Sequence, residues 1–80
     1  MASLIIFYAP EHNRRSELLI SGVDLDEAKR FSRNPTTSNM SEGWFVGFTD
    51  TDDTGLPNRT GEDTSVRDRL LDLWFSRRAL

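Results

Sequence analysis

The chain has 80 residues, no cysteine, a single histidine and a formal net charge of −3. This length predicts one small domain, residues 1–80, without a disulfide or a cysteine-based zinc site. A single histidine excludes sites that need two, and the longest apolar run is far below the roughly 18 residues of a membrane span. Because residues 1–3 lack the basic stretch of a secretory signal, we expect a cytoplasmic protein that does not enter a membrane.

The charges are distributed unevenly along the chain. Residues 1–33 are balanced, whereas residues 34–63 carry one arginine against six carboxylates, giving −5. Residues 64–80 carry four arginines against two aspartates, giving +2. The overall acidity argues against non-specific nucleic-acid binding, because that binding requires cationic side chains to neutralise phosphates.

The first half of the chain predicts a β-hairpin. Residues 3–9 are β-branched and aromatic, with apolar side chains on both faces, which is typical of a central strand, and a proline ends the run. Residues 17–21 predict a second, shorter strand. Strict alternation along this strand places Leu19 on one face and both Leu18 and Ile20 on the other.

A helix is predicted to follow the hairpin. Asp24 is the expected N-cap residue, because its carboxylate can accept a hydrogen bond from the backbone N–H of Glu27. The helix should end at Asn34, since the residue before a proline avoids the helical conformation. About nine or ten residues are too few for a stable isolated helix, so this helix must pack on the sheet.

The second half predicts a strand, a loop and a helix. Residues 42–49 predict a third strand, in which Trp44 and Phe45 point to opposite faces. Residues 50–63 form a long acidic loop, a length typical of functional or mobile segments. Residues 65–78 predict a final helix with one stripe at helical spacing, made of Val66, Leu70, Leu73, Trp74 and Arg77.

These elements predict an α+β fold with the order ββαβα. The preferred architecture is a three-stranded antiparallel sheet, in the strand order 2-1-3, with two helices packed on one face. The alternative order 1-2-3 would leave the most apolar strand on an edge, where it could aggregate.

No arrangement of residues in the sequence predicts catalysis, so we expect that the protein is not an enzyme and binds no cofactor. His12 lies at a hairpin tip without the partner and cleft that a general base needs. The loop from Asp50 to Gly55 partly resembles a calcium-binding EF-hand loop, but Gly61 occupies the position where such a loop has glutamate. We therefore predict ordinary turns here and no metal site.

Protein binding is the function that the sequence favours. Leu71 and Phe75 lie outside the stripe of the final helix, and a helix that is apolar on two faces is either deeply buried or contacts a partner. Deep burial is difficult in so small a domain, although a wide core stripe stays open as the alternative. The predicted site for a protein partner, or for a second copy of the chain, consists of Leu71, Phe75, Asp50, Asp52, Asp53, Arg77 and Arg78.

Single-stranded nucleic-acid binding is the second candidate function. An aromatic sheet face can stack bases, and arginine side chains can contact phosphates. The residues concerned are Phe7, Phe45, Arg14 and Arg15. The acidic loop would repel phosphates, which places this function second.

Three segments also resemble a known group of proteins. Gly22-Val23-Asp24-Leu25-Asp26-Glu27-Ala28-Lys29, then Asn34-Pro35-Thr36-Thr37-Ser38, then Gly43-Trp44-Phe45-Val46-Gly47-Phe48, resemble small proteins of unknown function encoded by bacteriophages of actinobacteria. The resemblance covers about residues 4–50. It implies a small accessory phage protein that binds a host component, and it transfers no site residue.

Overall fold

The structure, a computed structural model, describes residues 1–34, 37, 41–58 and 64–76. Its elements are β1 (Ala2–Tyr8), a short 3-10 turn (Pro10–His12), β2 (Glu17–Val23), α1 (Leu25–Arg33), β3 (Trp44–Thr49) and α2 (Ser65–Ser76). The strands form one antiparallel sheet in the order β2-β1-β3. The predicted α+β fold and its strand order are therefore confirmed.

β1 is central because it is apolar on both faces. Leu4 and Ile6 point to one face and are completely buried, while Ile5 points to the other and is 7% exposed. β1 forms antiparallel ladders with both neighbouring strands. An edge position would leave this apolar strand with unpaired backbone groups.

β2 departs from the strict alternation that the sequence predicts. Leu18 pairs with Ile5, but Ile20 pairs with Leu4, so β2 carries one extra residue at this point. The resulting β-bulge lets Leu19 enter the core, at 2% exposure, while Ile20 packs against the same core. The predicted separation of Leu19 from Ile20 was wrong for this reason.

Both ends of α1 are fixed by polar side chains. The Asp24 carboxylate accepts a hydrogen bond from the backbone N–H of Glu27 at 3.2 Å, which confirms the predicted N-cap. Beyond the other end, the hydroxyl of the buried Thr37 lies 2.8 Å from the Phe31 carbonyl oxygen and 2.7 Å from that of Asn34. Thr37 therefore closes the last turn of the helix.

The core contains side chains from all three strands and from both helices. Phe31 of α1 packs edge-to-face against Trp74 of α2, with ring centroids 5.2 Å apart. The α2 stripe is confirmed at Leu70 and Trp74, which are fully buried or nearly so, and at its partly buried members Val66 and Leu73. The predicted stripe member Arg77 lies outside the described residues. That both helices cover a single face of the sheet stays a prediction.

Neither α1 nor α2 is long and apolar enough to cross a bilayer, and these are the only α-helices in the part of the chain that the structure describes.

Replacing Asp24 with alanine should destabilise the fold. The Glu27 N–H then loses its capping partner, which typically costs about 1 kcal/mol and corresponds to a melting temperature about 4–8 °C lower for a domain of this size. Thermal unfolding followed by circular dichroism measures the change. Asp26→Ala is the matched control, because Asp26 is exposed in the first turn of the same helix. A melting temperature of Asp24→Ala equal to that of the wild type would show that the cap contributes nothing.

Candidate functional site

The structure places the two apolar residues predicted to bind a partner on α2 in different environments. Leu71 is partly buried and packs against the core, whereas Phe75 is 60% exposed. Leu71 therefore belongs to a wide core stripe, and Phe75 alone of this pair is presented at the surface. The predicted partner residues Arg77 and Arg78 lie outside the described residues.

A second exposed aromatic group lies on the sheet face opposite Leu4 and Ile6. Phe7 and Phe45 are cross-strand partners whose rings stack with centroids 5.0 Å apart and an interplanar angle of 19°. Phe45 is 42% exposed. Gly47 provides the space for the Phe7 ring, because a Cβ atom at this position would lie 2.7 Å from Phe7 Cε2.

The acidic loop closes the outer edge of β2. The Leu18 backbone N–H donates to the Pro57 carbonyl oxygen at 2.7 Å, and the Gly22 N–H donates to Asp52 Oδ1 at 3.1 Å. The Ser3 hydroxyl also donates to the Thr51 carbonyl oxygen at 2.6 Å. Sequence reasoning missed this role, because the contacts join residues that are far apart in the chain.

The three loop aspartates of the predicted partner site differ in their contacts. Asp50 and Asp53 have exposed side chains, whereas the carboxylate of Asp52 is engaged with Gly22. Asp50 immediately follows β3, so its charge lies at the end of that strand. The loop thus combines a structural contact with an exposed negative surface.

Arg14 is held in a polar cluster with Tyr8 and Glu17. The Glu17 carboxylate is completely buried, accepts a hydrogen bond of 2.5 Å from the Tyr8 hydroxyl and lies 3.5 Å from the Arg14 guanidinium. The guanidinium also stacks over the Tyr8 ring at 4.1 Å. A buried carboxylate without such partners would be strongly destabilising.

The structure does not bring Arg14 to the aromatic pair proposed for nucleic-acid binding. Tyr8 and Phe7 are neighbours in β1 and point to opposite faces of the sheet, so Arg14 at the Tyr8 ring lies on the side away from Phe7. Arg15 is exposed at the hairpin connection. Of the four predicted residues, only Phe7 and Phe45 are together.

His12 connects the hairpin tip to the start of β3. Its Nε2 atom lies 2.5 Å from the Glu42 carbonyl oxygen, and its ring packs edge-on against Tyr8. Gly43 has a φ of +82°, and a Cβ atom there would lie 2.8 Å from the His12 ring. Glycine is therefore required both by the backbone conformation and by the close approach of His12.

Within the described ranges, no three histidine, aspartate or glutamate side chains lie close enough together to hold a metal ion.

A cavity of about 380 Å³ lies at the start of α2, lined by Asn58, Thr64, Arg67 and Asp68. Arginine and aspartate share this wall, and the Thr64 hydroxyl donates to Asp68 at 3.1 Å. The described wall therefore carries one positive and one negative side chain.

No protein family model, no curated protein and no solved structure matches this chain.

Asp52→Ala should open the β2 edge locally. The Gly22 N–H loses its acceptor, which typically costs about 0.5–1.5 kcal/mol, and its amide should exchange with deuterium faster. Hydrogen exchange followed by NMR measures the rate at Gly22. Asp53→Ala removes the same charge from the neighbouring exposed residue and should leave that rate unchanged. An unchanged Gly22 rate in Asp52→Ala would show that the carboxylate does not hold the loop to this edge.

Proposed function

We propose that the chain is a non-enzymatic protein-binding module. The observation that carries this proposal is the exposure of three of its five phenylalanines: Phe45 at 42%, Phe48 at 38% and Phe75 at 60%. Burying a phenylalanine side chain contributes about 1.5–3 kcal/mol, and a domain of this size has few apolar residues to spare from its core. A partner that covers any of these rings would recover part of that free energy.

The charge pattern supports a partner with basic groups. Asp50 is exposed immediately after β3 and Asp53 is exposed in the loop that follows, and opposite charges across an interface increase association rates and specificity. The resemblance of residues 4–50 to small actinobacteriophage proteins supports an accessory role in the host cytoplasm. The partner we propose is a host protein that is bound or inhibited, with a second copy of the chain as the other possibility.

Phe75→Asp tests this proposal at α2. The side chain is exposed, so the variant should fold with a melting temperature close to that of the wild type, but partner binding should weaken at least tenfold. Quantitative affinity capture from host lysate measures hetero-binding, and size exclusion with light scattering measures self-association. Ser76→Asp is the matched control, since it adds the same charge at the next exposed position.

Leu71→Asp should give a different result from Phe75→Asp. Leu71 packs against the core, so a charge there should lower the melting temperature. The proposal fails if the wild type is monomeric and every captured protein is retained equally by the wild type and Phe75→Asp.

Single-stranded nucleic-acid binding is the second candidate, favoured by the stacked and partly exposed Phe7–Phe45 pair. Base stacking on such a ring is worth about 1–3 kcal/mol per base. The engagement of Arg14 with Glu17 and Tyr8 leaves this surface without one of the cations expected for phosphate contacts. Protein binding is therefore the better supported function.

Fluorescence anisotropy with a labelled single-stranded oligonucleotide tests the second candidate. If it is correct, binding at low salt should weaken as salt rises, and Phe45→Ala should weaken it about tenfold. Phe48→Ala, which removes an exposed ring on the opposite face, is the control. No anisotropy change at low salt would exclude this function.

A further inference from the structure

The hydrogen bonds of β3 define which of its backbone groups face outwards. In an antiparallel ladder, residues alternate between those that exchange hydrogen bonds with the neighbouring strand and those that face away from it. The Ala9 N–H donates to the Gly43 carbonyl oxygen at 2.7 Å, and the ladder continues from there without a register shift. The backbone groups of Val46 and Phe48 therefore face the outer edge of β3.

A contact on the far side of the sheet confirms this alternation. The ladder makes Ile5 a hydrogen-bonding partner of Gly47, so Ile5 cannot also direct its N–H towards its β2 partner Leu18. The N–H of Leu18 must then point away from the sheet. It does so, since it donates to Pro57 in the acidic loop.

The two edges of the sheet differ. The β2 edge is interrupted by bulges and closed by Pro57 and Asp52. At the β3 edge, no residue in the described ranges hydrogen-bonds to the outward groups of Val46 or Phe48. β3 also has no charge, proline or bulge, which are the features that normally protect an edge strand from pairing.

Exposed aromatic rings flank this edge on both faces. Phe45 and Phe48 occupy positions of opposite parity, so their side chains point to opposite faces of the sheet, and both are more than one third exposed. A strand added beside β3 would place alternate side chains against Phe48 on one face and Phe45 on the other. Cross-strand pairs of aromatic and β-branched residues stabilise such an addition.

The charges at the ends of β3 select the incoming strand. Glu42 and Asp50 are exposed just outside the two ends. In a second copy paired antiparallel across Val46, Glu42 would face Asp50 of that copy, and like charges directly opposite each other are destabilising. Lysine or arginine at both ends of the incoming strand would instead meet the Asp50 carboxylate at one end. At the other end it would meet the carboxylate of Glu42, whose Oε2 also accepts a hydrogen bond from Trp44 Nε1 at 3.1 Å.

We propose that β3 binds, by β-strand addition, an extended segment of a partner protein that has alternating apolar residues flanked by lysine or arginine. This inference rests on the proposed protein-binding function and names the segment that is recognised. The outward N–H and C=O groups of Val46 and Phe48 provide the main-chain hydrogen bonds, and Phe45 and Phe48 contact the side chains of the segment. Glu42 and Asp50 set the charge preference.

The probe is a displayed library of random peptides as long as β3 or slightly longer, selected against the full chain. The expected sequences alternate apolar residues between basic ends. Selected peptides should protect the amides of Val46 and Phe48 from hydrogen exchange, whereas those of Phe45 and Gly47 should be protected already in the free protein. Methylating the backbone nitrogens of a bound peptide one at a time should abolish binding at every second residue only.

Paired variants of Phe48 separate the backbone contact from the side-chain contact. Phe48→Pro removes an outward N–H and should weaken peptide binding at least tenfold more than Phe48→Ala, which removes only the ring. Asp50→Asn should weaken binding about threefold at low salt, and Asp26→Asn on α1 should leave it unchanged. If Phe48→Pro fails to fold, the methylated peptides test the same backbone contact.

Several outcomes would overturn the inference. These are a selection without binders, a preference for acidic ends, and peptides that leave the Val46 and Phe48 amides unprotected. Peptides that bind at Phe75 would overturn strand addition while supporting protein binding. A dimer that protects Val46 in the absence of peptide would assign the edge to a second copy and would also contradict the inference.

Discussion

Hydrogen bonding at the edges of the sheet is the constraint on which the rest of this structure depends. A three-stranded sheet completes the backbone pairing of β1 only, so the outer groups of β2 and β3 are left to other segments of the chain or to solvent. At β2 the acidic loop supplies them, through Pro57 and Asp52. This contact determines the path of the loop and brings the chain across to the β2 side, where α2 packs. At the β3 edge, no described residue supplies hydrogen bonds in this way. This edge is therefore the surface where we propose recognition.

A small core explains why polar residues take structural roles at its margin. In 80 residues the apolar groups cannot fill every position between the strands and helices. Glu17 is completely buried where β2 begins, and it is compensated by the Tyr8 hydroxyl and the Arg14 guanidinium. These contacts join both strands of the hairpin and its connection. They also hold Arg14 in the fold, although the sequence alone would allow this arginine to contact phosphates.

Much of the fold could be predicted from local sequence patterns, because these features depend on only a few neighbouring residues. Apolar side chains on both faces identified β1 as central, and an aspartate three residues before a glutamate identified the start of α1. The prediction for β2 was wrong because a bulge depends on the pairing between two strands, not on the sequence of one. Leu71 and Phe75 were predicted to share a partner surface, but Leu71 packs against the core and only Phe75 is exposed. Helical spacing gives the angle between these two residues but not the width of the helix surface that the core covers.

The sequence by itself determined the order of the elements, the central strand, the cap of α1 and the core stripe of α2, because each depends on propensity and periodicity within one segment. Only the tertiary structure decided which edge of the sheet is closed, which phenylalanines are exposed and where Arg14 is held. These features depend on contacts between residues far apart in the chain, such as Leu18 with Pro57 and Gly22 with Asp52. Periodicity within one segment carries no information about which distant segment will supply its hydrogen-bond partners.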